Sequence, residues 1–446
     1  MDRLRMAELF AAETRTFIER HPRSAEMASL SGALVAGVPM PWMRRWPGPF
    51  PLTVEEAHGG RFVDVDGHEY VDFCLGDTGA MTGHAHPEVF AAVSAQMSRG
   101  ATTMLPSRDA PVVGSELARR FGLPKWQFAL SATDANRFVL RFARALTGRR
   151  KILVHDWCYH GTVDETLVVS LADGRTTSRP GAIGPQVNPA LTTVVVPFND
   201  IDAVERAVSG GDIACMLIEP ALTNIGIVLP DPGYHAQLRE VLTRHGVLLI
   251  VDETHTICAG PGGCTREWGL QPDMFVIGKT IGSGVPVAAY GMTTEVAEAI
   301  ETLQRDDGID VSGVGGTLAG NAVSLAAVRS TLEHALSPED FAHSSALAES
   351  WAEGVREAYV SHQLEWSVQR LGCRAEYWFC APPRTGAAAA AAMDHELDAF
   401  MHLWALNRGI LLTPFHNMAL FTPFHRDTDV KLHNEVFASA LAAVCA

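Results

Sequence analysis

Val247-Leu248-Leu249-Ile250-Val251-Asp252-Glu253 and Met274-Phe275-Val276-Ile277-Gly278-Lys279 are two short apolar runs, each ending in an ionisable group. Runs this short and this apolar read as strands buried on both faces, the habit of a parallel sheet. A carboxylate and an amine are expensive to desolvate. Their placement 27 positions apart, at the ends of buried strands, therefore marks a candidate active site. Working outward, Val194-Val195-Val196 and Ala214 to Ile218 are further short apolar runs, alternating with amphipathic helical patterns from about Arg61 onward. That alternation predicts an α/β fold, a mostly parallel sheet with helices on both faces. Ligands of such sheets gather at the carboxyl ends of the strands, where Glu219, Asp252 and Lys279 fall.

Lys279 is flanked by Gly278 and by Gly282-Ser283-Gly284, which leave room for a bulky group against the backbone. A lysine covalently bonded to a cofactor fits that space. Pyridoxal phosphate needs an amine for its Schiff base and an anion for its ring nitrogen. Upstream, Ser131-Ala132-Thr133-Asp134-Ala135-Asn136 opens a segment with helical apolar spacing, so small hydroxyl residues stand at a helix start able to hold phosphate. Tyr159, in Trp157-Cys158-Tyr159-His160-Gly161, follows a strand-like run and could stack on an aromatic cofactor.

In their order these pieces resemble the class III aminotransferases, fold type I pyridoxal phosphate enzymes, and most nearly their glutamate-1-semialdehyde aminomutase and β-amino-acid transaminase branch. The resemblance runs from about Phe62 to the C-terminus. It rests on Asp64 to Asp72, Gly83-His84-Ala85-His86-Pro87, Ser131 to Asn136, Tyr159-His160-Gly161, Glu219-Pro220, Asp252-Glu253, Gly278-Lys279 and Gly316 to Asn321. It implies a large domain with a mostly parallel seven-stranded sheet and a smaller α/β domain. It makes Lys279 the Schiff-base lysine and proton carrier, and Asp252 the partner of the pyridine nitrogen. Ser131, Ala132 and Thr133 would hold the phosphate, while Tyr159 and Thr254 would face the two sides of the ring. Glu219 would support the site from behind, with His255 beside the cofactor. Thr317 would reach the phosphate of the other subunit, which requires a homodimer with shared active sites.

Some positions depart from the family pattern. Ala132 stands for a usual glycine and Asp134 for a glutamate, Thr254 for a usual valine, and His255 for glutamine or methionine. Asn224 replaces the glutamate that pairs with a mobile arginine in relatives using two differently charged substrates, and the segment Leu411 to Met418 offers no such arginine. The candidates for touching substrate are Trp42, Arg44, Arg45 and His160; the resemblance implies that an arginine from this N-terminal region helps bind the substrate carboxylate, which a guanidinium fork matches. Met104-Leu105-Pro106-Ser107 and Arg305 to Ser312 are further candidates for specificity.

The expected reaction is amino transfer from an amino acid or amine to a keto acid or aldehyde. The alternatives are an aminomutase of the glutamate-1-semialdehyde type or an ammonia-lyase acting on a β-substituted amine. A regulator without activity would be expected to lack Lys279 or Asp252, and both are present. The balance of 35 basic against 51 acidic residues, a net charge of −16, opposes nonspecific binding to nucleic acid or anionic membranes. The eight cysteines show no CxxC spacing, and no metal site is indicated. The chain reads as a cytoplasmic enzyme without a membrane segment. Its expected organisation is an N-terminal segment (1–60) contributing to the active site, a large cofactor-binding domain (61–330) and a small C-terminal domain (331–446).

Overall fold

The computed structural model describes residues 2–304 and 313–445, which form two compact units. The central unit, 87–338 with 383–391, holds a seven-stranded sheet. In chain order its strands are β1 (Lys125–Ala129), β2 (Lys151–His155), β3 (Thr193–Val196), β4 (Ile213–Ile218), β5 (Leu248–Asp252), β6 (Met274–Ile277) and β7 (Ala288–Met292). They lie side by side as β1-β7-β6-β5-β4-β2-β3. All neighbouring pairs are parallel except those made by β7, which runs antiparallel to both β1 and β6.

The strands β4, β6 and β7 are buried at every position, which is why they lack an alternating polar face. Because β7 reverses between β1 and β6, β1 points the same way as β6. The carboxyl ends of six strands therefore share one edge of the sheet, and Asp252, Lys279, Glu219 and Ser131 all lie at it. The helix Ala132–Thr147 leaves that edge and packs on β4 and β7. Ser131 caps it, its hydroxyl accepting from the Asp134 amide (3.2 Å) while donating to the Asp134 carboxylate (2.9 Å).

The second unit gathers residues up to His86 with 339–382 and 392–446. It contains a four-stranded sheet, a three-stranded sheet and the helices Arg3–Arg20, His395–Leu406 and Asp427–Cys445. Phe17, Phe62, Tyr70, Leu403 and Leu406 form one of its cores. The division differs from the expected boundaries at 61 and 331. Arg61–Asp64 and Glu69–Asp72 pair with Val54–His58 and Ile410–Leu411, which ties residues 61–86 to the terminal unit. Residues 383–391 instead join the central unit, where Arg384 pairs with Asp231. Ala322–His334 and Pro338–Ser361 are separate helices, since a proline favours a helix's first turn over its interior. No described helix is long and apolar enough to cross a membrane.

Candidate active site

Lys279 stands two residues beyond β6 with φ +50°, a left-handed conformation that is uncommon for a residue with a side chain. Gly278 before it has a packing reason. A Cβ there would lie 3.1 Å from the Ala132 Cβ and 3.4 Å from the Ala132 amide nitrogen, so glycine lets the lysine strand approach the start of the helix. The lysine Nζ is 2.8 Å from His255 Nε2, and both residues are half-buried.

Asp252, the last residue of β5, is buried, and each of its oxygens is occupied. Oδ2 accepts from Asn136 Nδ2 (2.8 Å) and faces His160 Nδ1 (3.0 Å). Oδ1 accepts from the Thr254 amide (3.1 Å) and hydroxyl (2.6 Å). Burial alone would raise the carboxyl's pKa, but the His160 hydrogen bond and charge, with Thr254 and Asn136, bring it below the usual carboxylate range. Burial likewise works against the charged form of His160. The neighbouring Cys158 and the bonded Asp252 carboxylate overcome it, and His160 is pushed up to about 10. The result is a buried ion pair at the strand end.

Glu219 lies one residue past β4, and burial raises its pKa. Its Oε1 accepts from the Tyr159 amide (3.1 Å) and its Oε2 from the amide and hydroxyl of Thr223. It thereby fixes the backbone that carries Tyr159. The next residues of that loop press onto the helix start. Thr162 donates its amide to Thr133 Oγ1 (3.1 Å), and Gly161, at φ +81°, could carry no Cβ because one would fall 2.1 Å from the same oxygen. The first amides of a helix have no intrahelical acceptor, so those of Ala132 and Thr133 are donors for an anion at the edge where Lys279 stands. Ala132 is the first helical residue, a conformation alanine adopts without strain. A phosphate cradle, a covalently reactive amine and an ionised carboxylate fit pyridoxal phosphate.

The structure thus brings Ser131, Ala132, Thr133, Tyr159, Glu219, Asp252, Thr254, His255 and Lys279 to one sheet edge. Thr254 bonds Asp252, and Thr317 is exposed. His160 requires a correction. Expected as a substrate contact, it is 1% exposed and lies against Asp252, because the sharp turn at Trp157, φ +63°, leads the loop back over the strand ends. Trp42, Arg44 and Arg45 lie in the terminal unit, where the Pro41–Arg44 turn leaves both arginines exposed and Trp42 meets Phe415 edge-on. Met104 is exposed, and Arg305 to Ser312 lies outside the described residues.

Two polar residues were missed as site candidates. Asn136 sits on the second turn of the helix, and its only sequence signal is a carboxamide on the otherwise apolar buried face. Arg179 follows a hairpin, where an arginine ordinarily reads as solvated; it lies over Trp157 and bonds the Cys158 carbonyl. All eight cysteines are free thiols, six of them buried.

Residues 42–423 match the family model for "Aminotransferase class-III". A glutamate-1-semialdehyde 2,1-aminomutase of Anaeromyxobacter sp. (strain Fw109-5) is 34% identical over 401 residues, 88% of this chain and 92% of that protein. A crystal structure of a glutamate-1-semialdehyde-aminomutase from Pseudomonas aeruginosa PAO1 superposes with a TM-score of 0.97 at 48% identity, covering 100% of this chain and 99% of that one. A lysine-to-alanine variant of that enzyme has been solved in complex with PMP. An omega-transaminase from Sphaerobacter thermophilus is 27% identical with a TM-score of 0.85, covering 96% of this chain and 99% of that one.

Proposed function

The chain belongs to the class III aminotransferases, and from that premise we propose that it is an aminomutase of the glutamate-1-semialdehyde type. It is a pyridoxal 5'-phosphate enzyme of fold type I. Intermolecular amino transfer was the main expectation from sequence, and the similarities favour the alternative. The observation that carries this reading is likeness to a glutamate-1-semialdehyde-aminomutase over essentially the full length of both chains. A local feature agrees with it: Asn224, a neutral amide, occupies the position where a two-substrate gate would place an acid.

When bound, the cofactor supplies a carbonyl for an amine and a ring that draws electrons from the adjacent carbon. Lys279 Nζ is the amine that anchors it and, once displaced, the base that carries a proton between substrate carbon and cofactor. His255 Nε2, 2.8 Å away, holds that amine in place. Asp252, kept ionised by His160 and Asn136, pairs with a protonated ring nitrogen. Ser131 caps the helix whose first amides take the phosphate, and Glu219 locks the turn presenting Tyr159. In this reading the enzyme works as a homodimer, with Thr317 completing the phosphate site of the other subunit.

The reaction is an isomerisation: 4-amino-5-oxopentanoate becomes 5-amino-4-oxopentanoate, and no atom is gained or lost. Holoenzyme given the semialdehyde alone should convert it without added keto acid and without releasing ammonia. A strict need for an added acceptor would return the assignment to a transaminase, and accumulating ammonia would make it a lyase.

A further inference from the structure

Arg179 is a cation that the cofactor residues leave unused. Its amide donates to the Leu167 carbonyl (2.9 Å), which ties it to the base of the hairpin formed by Val168–Ser170 and Thr176–Ser178. The guanidinium carbon lies 5.0 Å from the Trp157 ring centroid. Nη1 donates to the Cys158 carbonyl (3.1 Å). With the Asn224 amide turned oxygen-first, the orientation that satisfies both groups, Nη2 and Nη1 donate to Asn224 Oδ1 at 2.9 and 3.1 Å. One bond to Cys158 and two to Asn224 take three of the five guanidinium donors. The remaining Nε–H and second Nη2–H lie along one edge of the fork, the edge a carboxylate engages with two parallel bonds.

The surroundings favour such a ligand. Among the described residues no carboxylate forms an ion pair with Arg179. Burial works against its charge, while Cys158, Glu219, Tyr159 and Asp156 act in its favour from nearby. An acid at position 224 would neutralise the guanidinium, whereas the asparagine amide orients it and leaves the charge in place. A half-buried cation held only by neutral acceptors gains most from an anion that arrives with the substrate. Cys158, whose carbonyl Arg179 bonds, directly precedes Tyr159, which Glu219 fixes at the sheet edge where Lys279 stands.

We propose that Arg179, positioned by Asn224 and Trp157, receives the acid group of the substrate through its Nε–Nη2 edge. The proposal rests on the function above only in requiring a substrate with a free carboxylate. It also moves acid recognition away from Arg44 and Arg45, the candidates read from sequence.

The test measures binding rather than turnover. Holoenzyme is titrated, by cofactor absorbance, with 4-aminobutyrate and with n-butylamine, two amines of similar length of which only the first bears a carboxylate. The wild type should bind 4-aminobutyrate at least about tenfold more tightly. Arg179→Gln should raise the Kd for 4-aminobutyrate by about 10- to 100-fold and leave that for n-butylamine unchanged, with Arg179→Lys in between. Asn224→Asp keeps the arginine but gives it a permanent partner, and should weaken 4-aminobutyrate alone by about tenfold. With the semialdehyde as substrate, Arg179→Gln should raise KM far more than it lowers kcat. No discrimination by the wild type, an equal shift of both amines in Arg179→Gln and Asn224→Asp, or loss of discrimination in Arg44→Gln or Arg45→Gln with retention in Arg179→Gln would each overturn the proposal. Because the paired titration requires no isomerisation, it stands or falls separately from the aminomutase assignment.

Discussion

Asp252 and Glu253 are consecutive, equally buried carboxyl groups at the end of one strand, yet their environments drive them in opposite directions. Asp252 meets an imidazole whose own proton is held up to about 10, together with the Asn136 amide and the Thr254 donors, and is pulled below the ordinary range. Glu253 is raised by burial, and its partners are neutral. They are the Thr256 hydroxyl, the Cys264 amide (3.2 Å) and both the amide and hydroxyl of Thr265. Glu253 also meets Gly263 so closely that a Cβ there would lie 2.6 Å from its Oε2, which makes it a clamp for the turn and helix that follow. Burial alone therefore does not make a functional acid. The distinction comes from one charged neighbour, His160, and from which way the side chain leaves the strand.

The largest effect belongs to the amine that this pair serves. Lys279→Ala should lower turnover by about 10³-fold or more while leaving the thermal transition near that of the wild type, as measured by semialdehyde conversion and calorimetry. Next comes the ionised half of the comparison. Asp252→Asn removes the negative charge that keeps the ring nitrogen protonated, and kcat should fall by about 10²-fold or more with KM little changed. Equal loss from Glu253→Gln would erase the distinction between the two acids.

A smaller effect is expected at the group that creates the asymmetry. His160→Gln should reduce kcat by about 10- to 100-fold, since it leaves Asp252 in place without its charged partner. The pH dependence sharpens the point. The pKa of His160 is raised on folding, so its contribution to stability is complete below the unfolded value of about 6.5. It is lost as pH climbs toward about 10. Melting temperatures of the apoprotein across that window should decline less steeply in His160→Gln than in the wild type. The smallest effect on catalysis is at Glu253. Glu253→Gln should leave kcat within about twofold yet cost about 1–3 kcal/mol of stability by disturbing its buried donors, a cost that chemical denaturation would read.

Much of this site could be read from the chain because strand-end chemistry is local. Apolar runs that stop at Asp252, Glu219 and Lys279 announce both the sheet and its carboxyl edge, and Ser131 followed by Asp134 announces the helix start. What could not be read depended on contacts made across long stretches of sequence. His160 reaches Asp252 only because the loop after β2 turns back at Trp157, and Asn136 reaches it only through the orientation of the helix on the sheet. The role of Arg179 depends on Asn224, far along the chain. The compact units divide differently near residue 61 for the same reason: Glu69–Asp72 pairs with Ile410–Leu411, a partner no local pattern predicts.

The most direct test of the contrast between Asp252 and Glu253 is a ¹⁵N NMR titration of the His160 imidazole in the wild type and in Asp252→Asn. His160 should carry both ring protons through neutral pH and lose one only near about 10 in the wild type, and the transition should move down strongly in Asp252→Asn. An imidazole that is already neutral at pH 7 in the wild type, or one that titrates identically in the two proteins, would contradict the ion pair on which this description of the site depends.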